Sequence, residues 1–121
     1  MLANVEYIDL FTLSRQIVIG CYELTMDLDE DEKTNFSRYI RKASLELHIN
    51  IAQAVYAKPK KRNKLIGSAI NAMVIIETAA GILAEVGLVE KEKIQELLKL
   101  TSECEMQTRE IYLKNNFSDK S

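Results

Sequence analysis

The sequence predicts an all-α fold, an antiparallel up-and-down four-helix bundle, on three observations. Four segments of the 121-residue chain set apolar side chains three and four positions apart, a spacing that gathers them on one face of a helix. Glycine and proline are scarce, at four and one, so long helices meet few breaks. No stretch of alternating β-branched residues competes as a strand. A chain of this length makes one domain, 1–121, and can bury a core without a metal or disulfide staple.

The first helix is expected over about 6–28, where Leu10, Leu13, Ile17, Cys21, Leu24 and Leu28 form one stripe. The acids from Asp27 to Glu32 would oppose the dipole at a helix carboxyl end and suit the first turn of the next, so a turn is expected near 29–31. The second helix, about 32–57, carries Phe36, Ile40, Ala43, Leu47, Asn50 and Ala54, with Ile51 and Val55 widening the stripe. Pro59 should end it, because the residue before a proline leaves the helical region.

The third helix, about 62–86, repeats the spacing at Ile66, Ala69, Met73, Ile76, Ala80 and Leu83. It is also apolar at Ile70, Val74, Ile75 and Ile82, which predicts enclosure on several sides. Gly87 supplies a left-handed stop, with Leu88 expected to fold back onto the helix. The fourth helix, about 90–114, aligns Ile94, Leu97, Thr101, Cys104, Thr108 and Ile111, and the tail from Asn115 is expected to fray. The stripes leave Val55, Tyr56, Val74, Ile75 and Ile82 over, and subunit contact accounts for such a surplus more simply than burial inside a monomer. A homo-oligomer is therefore expected.

Charge is distributed in blocks. Residues 1–32 hold eight acids against Arg15, and residues 33–66 hold nine cations against Glu46, so the net charge of −2 conceals blocks of −7 and +8 with a mildly acidic remainder. The densest feature, Lys58, Pro59, Lys60, Lys61, Arg62, Asn63 and Lys64, reads as a cationic turn. It could engage the phosphates of RNA or DNA, with Arg38, Arg41 and Lys42 adding charge if they share its surface. The opposing reading is a solvated turn whose cations balance the Asp27–Glu32 block. Cations alone would hold a nucleic-acid backbone without reading bases, and only Tyr56 offers an aromatic nearby.

No catalytic constellation is legible, so an enzyme is not expected and no cofactor is implied. His48 is the only histidine and sits among Leu47, Ile49 and Ile51, a setting for a packed imidazole. Ser44 and Ser68 lack a nucleophile context. Asn50 and Glu77 are the polar residues most deeply set in apolar surroundings, and an amide–carboxylate contact between them would fix helix register. A di-metal bundle site needs several inward carboxylates with Glu-x-x-His elements, which this sequence lacks. Cys21 and Cys104 read as buried free thiols, favouring a reducing compartment. The first residues lack the pattern of a signal peptide. Glu77 interrupts the apolar region from Ile70 to Ala84, so a soluble, cytoplasmic protein without membrane contact is expected.

Two blocks resemble the four-helix bundle family labelled S23 ribosomal protein, also known from ribosomal RNA intervening sequences. In the segment Arg41–Ala54, Arg41, Lys42, Ala43, Asn50, Ile51 and Ala52 match its helix-two signature, whereas Gln53 and Ala54 replace the usual acid and glycine. In Ala69–Leu88, the matching positions are Ala69, Met73, Ile76, Glu77, Thr78, Leu83, Gly87 and Leu88, with Ile75 in place of a common acid. The resemblance implies the bundle and, through related accessory proteins of diversity-generating retroelements, a homopentamer. It implies nucleic-acid contact more weakly, because those accessory proteins are basic overall.

Overall fold

Four helices pack in a closed ring of neighbours, each antiparallel to the next. The computed structural model describes the backbone of residues 5–119 and the side chains of 7–31 and 35–115. The helices are α1 (Val5–Thr25), α2 (Arg38–Tyr56), α3 (Pro59–Glu85) and α4 (Lys91–Asp119). Helix α1 packs on α2 and α4, and α3 closes the ring against the same two. Among the described residues there is no strand, and the all-α up-and-down architecture expected from the periodicity is the one observed.

The core follows the stripes closely. Leu10, Ile17 and Cys21 of α1, Ile40, Leu47 and Ile51 of α2, Ile66, Met73, Ile76 and Leu83 of α3, and Cys104 of α4 are fully enclosed or nearly so. Each buried side chain of this size is worth about 1.5–3 kcal/mol. Helices α2 and α3 form the most intimate pair, with Ala43 and Ala54 on one and Ala69, Ala72 and Ala80 on the other buried in the core. Small side chains let two helix backbones approach. Thr101 and Thr108 are buried in α4, and Thr101 satisfies its hydroxyl within the helix by donating to the Leu98 carbonyl at 3.0 Å. Ile51, expected at the edge of its stripe, is fully buried, whereas Asn50 is only half-buried.

The helix ends depart from expectation for identifiable reasons. Helix α1 stops at Thr25, three residues early, where the Thr25 hydroxyl donates to the Cys21 carbonyl at 2.8 Å. The acids beyond it would face the negative end of the dipole. A short helical turn, Glu30–Glu32, and a π-helical segment, Lys33–Ser37, precede α2 in place of a continuous helix from 32. The wider π turn leaves Phe36 half-buried and Ser37 enclosed, and the Ser37 hydroxyl has no hydrogen-bond partner among the described residues.

Pro59 acts as a starter, not merely a stop. Lys58 is extended, as the residue before a proline must be, and Pro59 occupies the first turn of α3, where its missing N–H costs nothing. The Arg62 amide then donates to the Lys58 carbonyl at 2.7 Å. At the far end, Gly87 has φ +75°, and the Leu88 and Gly87 amides donate to the Leu83 and Ala84 carbonyls at 3.1 and 3.2 Å. This is the paired bonding of a Schellman stop, as Gly87 predicted. Leu88 itself is exposed; Val89 packs against the core in its place. Helix α4 runs to Asp119, past the expected end at 114.

Candidate functional site

The expected cationic turn is helical. Only Lys58 lies outside α3; Lys60, Lys61, Arg62 and Lys64 form its first two turns, and no acid accompanies them in the first. Cations at a helix amino end oppose the macrodipole, so folding does not favour this cluster on local grounds. Lys58, Lys60, Lys61 and Lys64 are exposed.

The eight candidate cations do not form one surface. Arg62 Nε donates to the Ala54 carbonyl in the last turn of α2 at 3.1 Å, and its guanidinium carbon lies 5.5 Å from the Tyr7 ring centroid. Arg41 Nε donates to the Thr25 hydroxyl at 2.8 Å, with Nη2 3.5 Å from the Tyr22 carbonyl. Both arginines tie helix carboxyl ends, where a cation is favoured. Arg38 and Lys42 are exposed but belong to the first turns of α2, the opposite end of the bundle from Lys58. The 19 residues of α2 separate the two groups by about 28 Å.

That antiparallel path separates the charge blocks along the bundle axis. The α1–α2 connection, with exposed Asp27, Asp29, Glu30 and Asp31, lies at the same end as the α3–α4 connection, with exposed Glu85 and Glu90. The lysines of α3 lie at the other end and do not sit beside the Asp27–Glu32 block within one chain. Arg38, Lys91 and Lys93 dilute the acidic pole; Asp9 and Glu110, on α1 and α4, dilute the basic one. The molecule is a charge dipole along its helices.

A second surface lies on α2 and α3. Phe36, Tyr39, Val74, Ile75, Ala79 and Ile82 line most of a groove of about 510 Å³. Tyr39 is 66 % exposed, and Val74, Ile75 and Ile82 are 47, 44 and 43 % exposed. These three α3 residues belong to the predicted apolar surplus; Tyr56, also in it, is 84 % exposed near the lysines, while Val55 packs partly on the core. The enclosure expected on several sides of α3 is thus incomplete. By length and composition α3 could cross a membrane, with mean hydropathy 1.7 over its best 18 residues, but eight of its residues form the centre of the bundle core.

The remaining polar candidates are held by neighbours. His48 Nδ1 lies 2.8 Å from the Ser14 hydroxyl, and its ring centroid is 4.6 Å from that of Phe11. Ser14 Oγ is also 3.1 Å from the Phe11 carbonyl, so both contacts are satisfied when Ser14 donates to Phe11 and Nδ1–H donates to Ser14. Partial burial, reinforced by Arg15, pushes the His48 pKa down, favouring the neutral ring. Ser14 is fully buried.

Glu77 faces α4, and no hydrogen bond joins it to Asn50 among the described residues. Burial raises its pKa, and the bond that its protonated carboxyl donates to the Glu105 carboxylate, together with the Glu105 charge, adds to the rise, against Thr101 and Arg109. Glu105 is itself held at 2.8 Å by Arg109. Cys21 and Cys104 are free and buried, as expected. Among the described residues no three histidine, cysteine or acidic side chains group so as to hold a metal ion.

Sequence reasoning missed the anchoring of Arg41 and Arg62. Arg41 lies beside its helix stripe and Arg62 continues its own one turn back, and only the antiparallel neighbour supplies the acceptor. Fold and surfaces together define an all-α four-helix-bundle protein with a polar axis of charge and an uncovered apolar side. No protein-family model matches the sequence and no curated protein matches it, so the S23 resemblance rests on its two blocks of residues alone.

Proposed function

We propose that this chain is a non-enzymatic scaffold that associates with itself through the α2–α3 face. The observation that carries the reading is the exposure of Val74, Ile75 and Ile82 beside Tyr39 and Phe36 in one groove. Covering apolar area contributes about 25 cal/mol per Å², and a contiguous patch of this kind marks an interaction surface. The test is light scattering over a range of concentrations on the native chain and on Ile75→Asp. The native chain should give a multiple of 13.8 kDa and the variant a single chain mass.

A second reading is favoured by a separate observation, the four exposed lysines gathered at one pole. In that reading the pole grips nucleic-acid phosphates without sequence preference. Arg41 and Arg62 take no part, being committed to helix ends. The test is binding to RNA and DNA at low and moderate salt, with Lys58, Lys60, Lys61 and Lys64 neutralised together. Binding that persists unchanged after neutralisation removes the pole from the account.

A further inference from the structure

Away from the α2–α3 groove, a second apolar patch crosses α1 and α2 toward the lysine pole. On α1, Ile8, Phe11 and Arg15 follow at steps of three and four and so share a side. On α2, Lys42, Leu45, Ile49 and Tyr56 do the same at steps of three, four and seven. Phe11 lies against His48, with ring centroids 4.6 Å apart, which joins the two stripes and sets their level. Because the helices are antiparallel, Ile8 stands near Ala52 and Arg15 near Leu45. Ile8, Phe11, Leu45, Ile49 and Tyr56 are between 40 and 84 % exposed.

The charges bordering this patch are of one sign. Arg15 and Lys42 lie on its side toward the acidic pole, and Lys58, Lys60 and Lys61 follow Tyr56 at its other end. None of these cations is ion-paired among the described residues. The acids of α1 turn the other way, since Asp9 and Glu23 each line a groove against α4. Glu46 shares the side of α2 that bears Tyr39, seven residues before it, and Tyr39 faces α3. The Asp27–Asp31 connection lies beyond Arg38, which is itself about 16 Å along α2 from Ile49.

Shape and charge separate the occupants such a patch could take. A second copy docked by the same patch would set cation against cation. A partner helix needs a furrow, and the α1–α2 seam is filled by Phe11 on His48 and, further along, by Arg41 over Tyr22 at 4.5 Å. A nucleic-acid backbone would engage the cations and gain nothing from Ile8, Leu45 and Ile49. A bilayer with anionic headgroups uses both features. Apolar side chains enter the boundary between headgroups and acyl chains, a tyrosine ring sits at headgroup level, and arginine and lysine stems reach past them to the phosphates. Contact of this kind lies on the surface and needs no helix to span the bilayer.

We infer that the α1–α2 patch beside the lysine pole docks on an anionic lipid bilayer, with α1 and α2 against the headgroups and α3 and α4 turned to solvent. Self-association through the α2–α3 groove is a separate contact, and docking does not require it.

The experiment sediments the full chain with extruded vesicles of phosphatidylcholine alone and of equal parts phosphatidylcholine and phosphatidylserine, at low and moderate salt. The native chain should bind the anionic vesicles, less as salt rises, and leave the neutral ones unbound. Ile8→Asp combined with Ile49→Asp, both at exposed positions, should reduce binding by about tenfold or more while helix content and particle mass stay native. Arg15→Gln combined with Lys42→Gln should reduce it about fivefold for each cation removed. If the aspartate pair loses helix content, the charge pair decides alone. Absence of native binding to anionic vesicles overturns the inference, as does native-level binding by both pairs. Binding lost on neutralising Lys58, Lys60, Lys61 and Lys64 yet unaltered in both pairs assigns the contact to the pole alone and also overturns it. A lower particle mass for the aspartate pair makes the patch an interface between copies, with the same consequence.

Discussion

The Arg41 guanidinium lies 4.5 Å from the centroid of the Tyr22 ring, on the end of α1 that its Nε secures through Thr25. One side chain from α2 thus holds the end of α1 by a charge-assisted hydrogen bond and a cation–π contact. Arg41→Ala should cost about 1–3 kcal/mol in chemical denaturation. Arg38→Ala, three residues earlier and exposed, should stay within about 0.5 kcal/mol of the native chain.

Arg62 and its lysine neighbours should separate in the same way. Arg62→Gln removes the bond to the Ala54 carbonyl and should lower stability, by about 1–3 kcal/mol. Neutralising Lys58, Lys60, Lys61 and Lys64 should leave stability nearly unchanged or raise it slightly, since cations oppose the dipole at this helix end. If the pole holds duplex DNA, each lost phosphate contact should reduce the salt slope of binding by about 0.9. Denaturation and titrations at several salt concentrations read the two effects independently.

Both thiols should be nearly inert in the folded protein. Burial pushes Cys21 up to about 12 and Cys104 up to about 11, outweighing the hydrogen bonds from Ser44 and Thr108 respectively. Thiolate is the reactive form, so reaction with a chromogenic disulfide at pH 8 should be slow until denaturant is added. Two thiols should then react per chain. Rapid native-state modification of either would contradict the buried placement.

Glu77 should destabilise the fold at neutral pH. Its folded-state pKa is raised above the ordinary carboxyl value of 4.5 by burial and by Glu105, so the folded state holds the proton more tightly than the unfolded chain. Stability from that preference is present at low pH and is lost as pH rises through the folded-state value. Glu77→Gln should therefore melt above the native chain at pH 7, with the difference closing as pH falls toward 4.5. Thermal melts across that range provide the measurement.

Much of the fold was legible because burial imposes a period on the sequence. Met73, Ile76 and Leu83, or Leu97, Thr101 and Cys104, can share a buried face only on a helix, and that period needs no knowledge of neighbours. Gly87 was legible for a similarly local reason. The π-helical entry to α2 was not, because one inserted residue leaves the same apolar composition while changing which side chains turn inward. The separation of charge into two poles also required topology. In the sequence the Asp27–Glu32 and Lys58–Lys64 blocks are neighbours along the chain, whereas α2 carries them to opposite ends. Glu77 and Asn50 share an apolar setting in sequence, yet Glu77 turns to α4 because the helix ring places Glu105 and Thr101 beside it.

The uncovered α2–α3 side is the central claim, and the mass of the particle in solution tests it most directly. Light scattering on the native chain and on Ile75→Asp, with circular dichroism to follow helix content, should show an oligomer for the first and a helical monomer of 13.8 kDa for the second. A native chain that remains a monomer at every concentration, or an Ile75→Asp chain that keeps the native mass, would contradict the account.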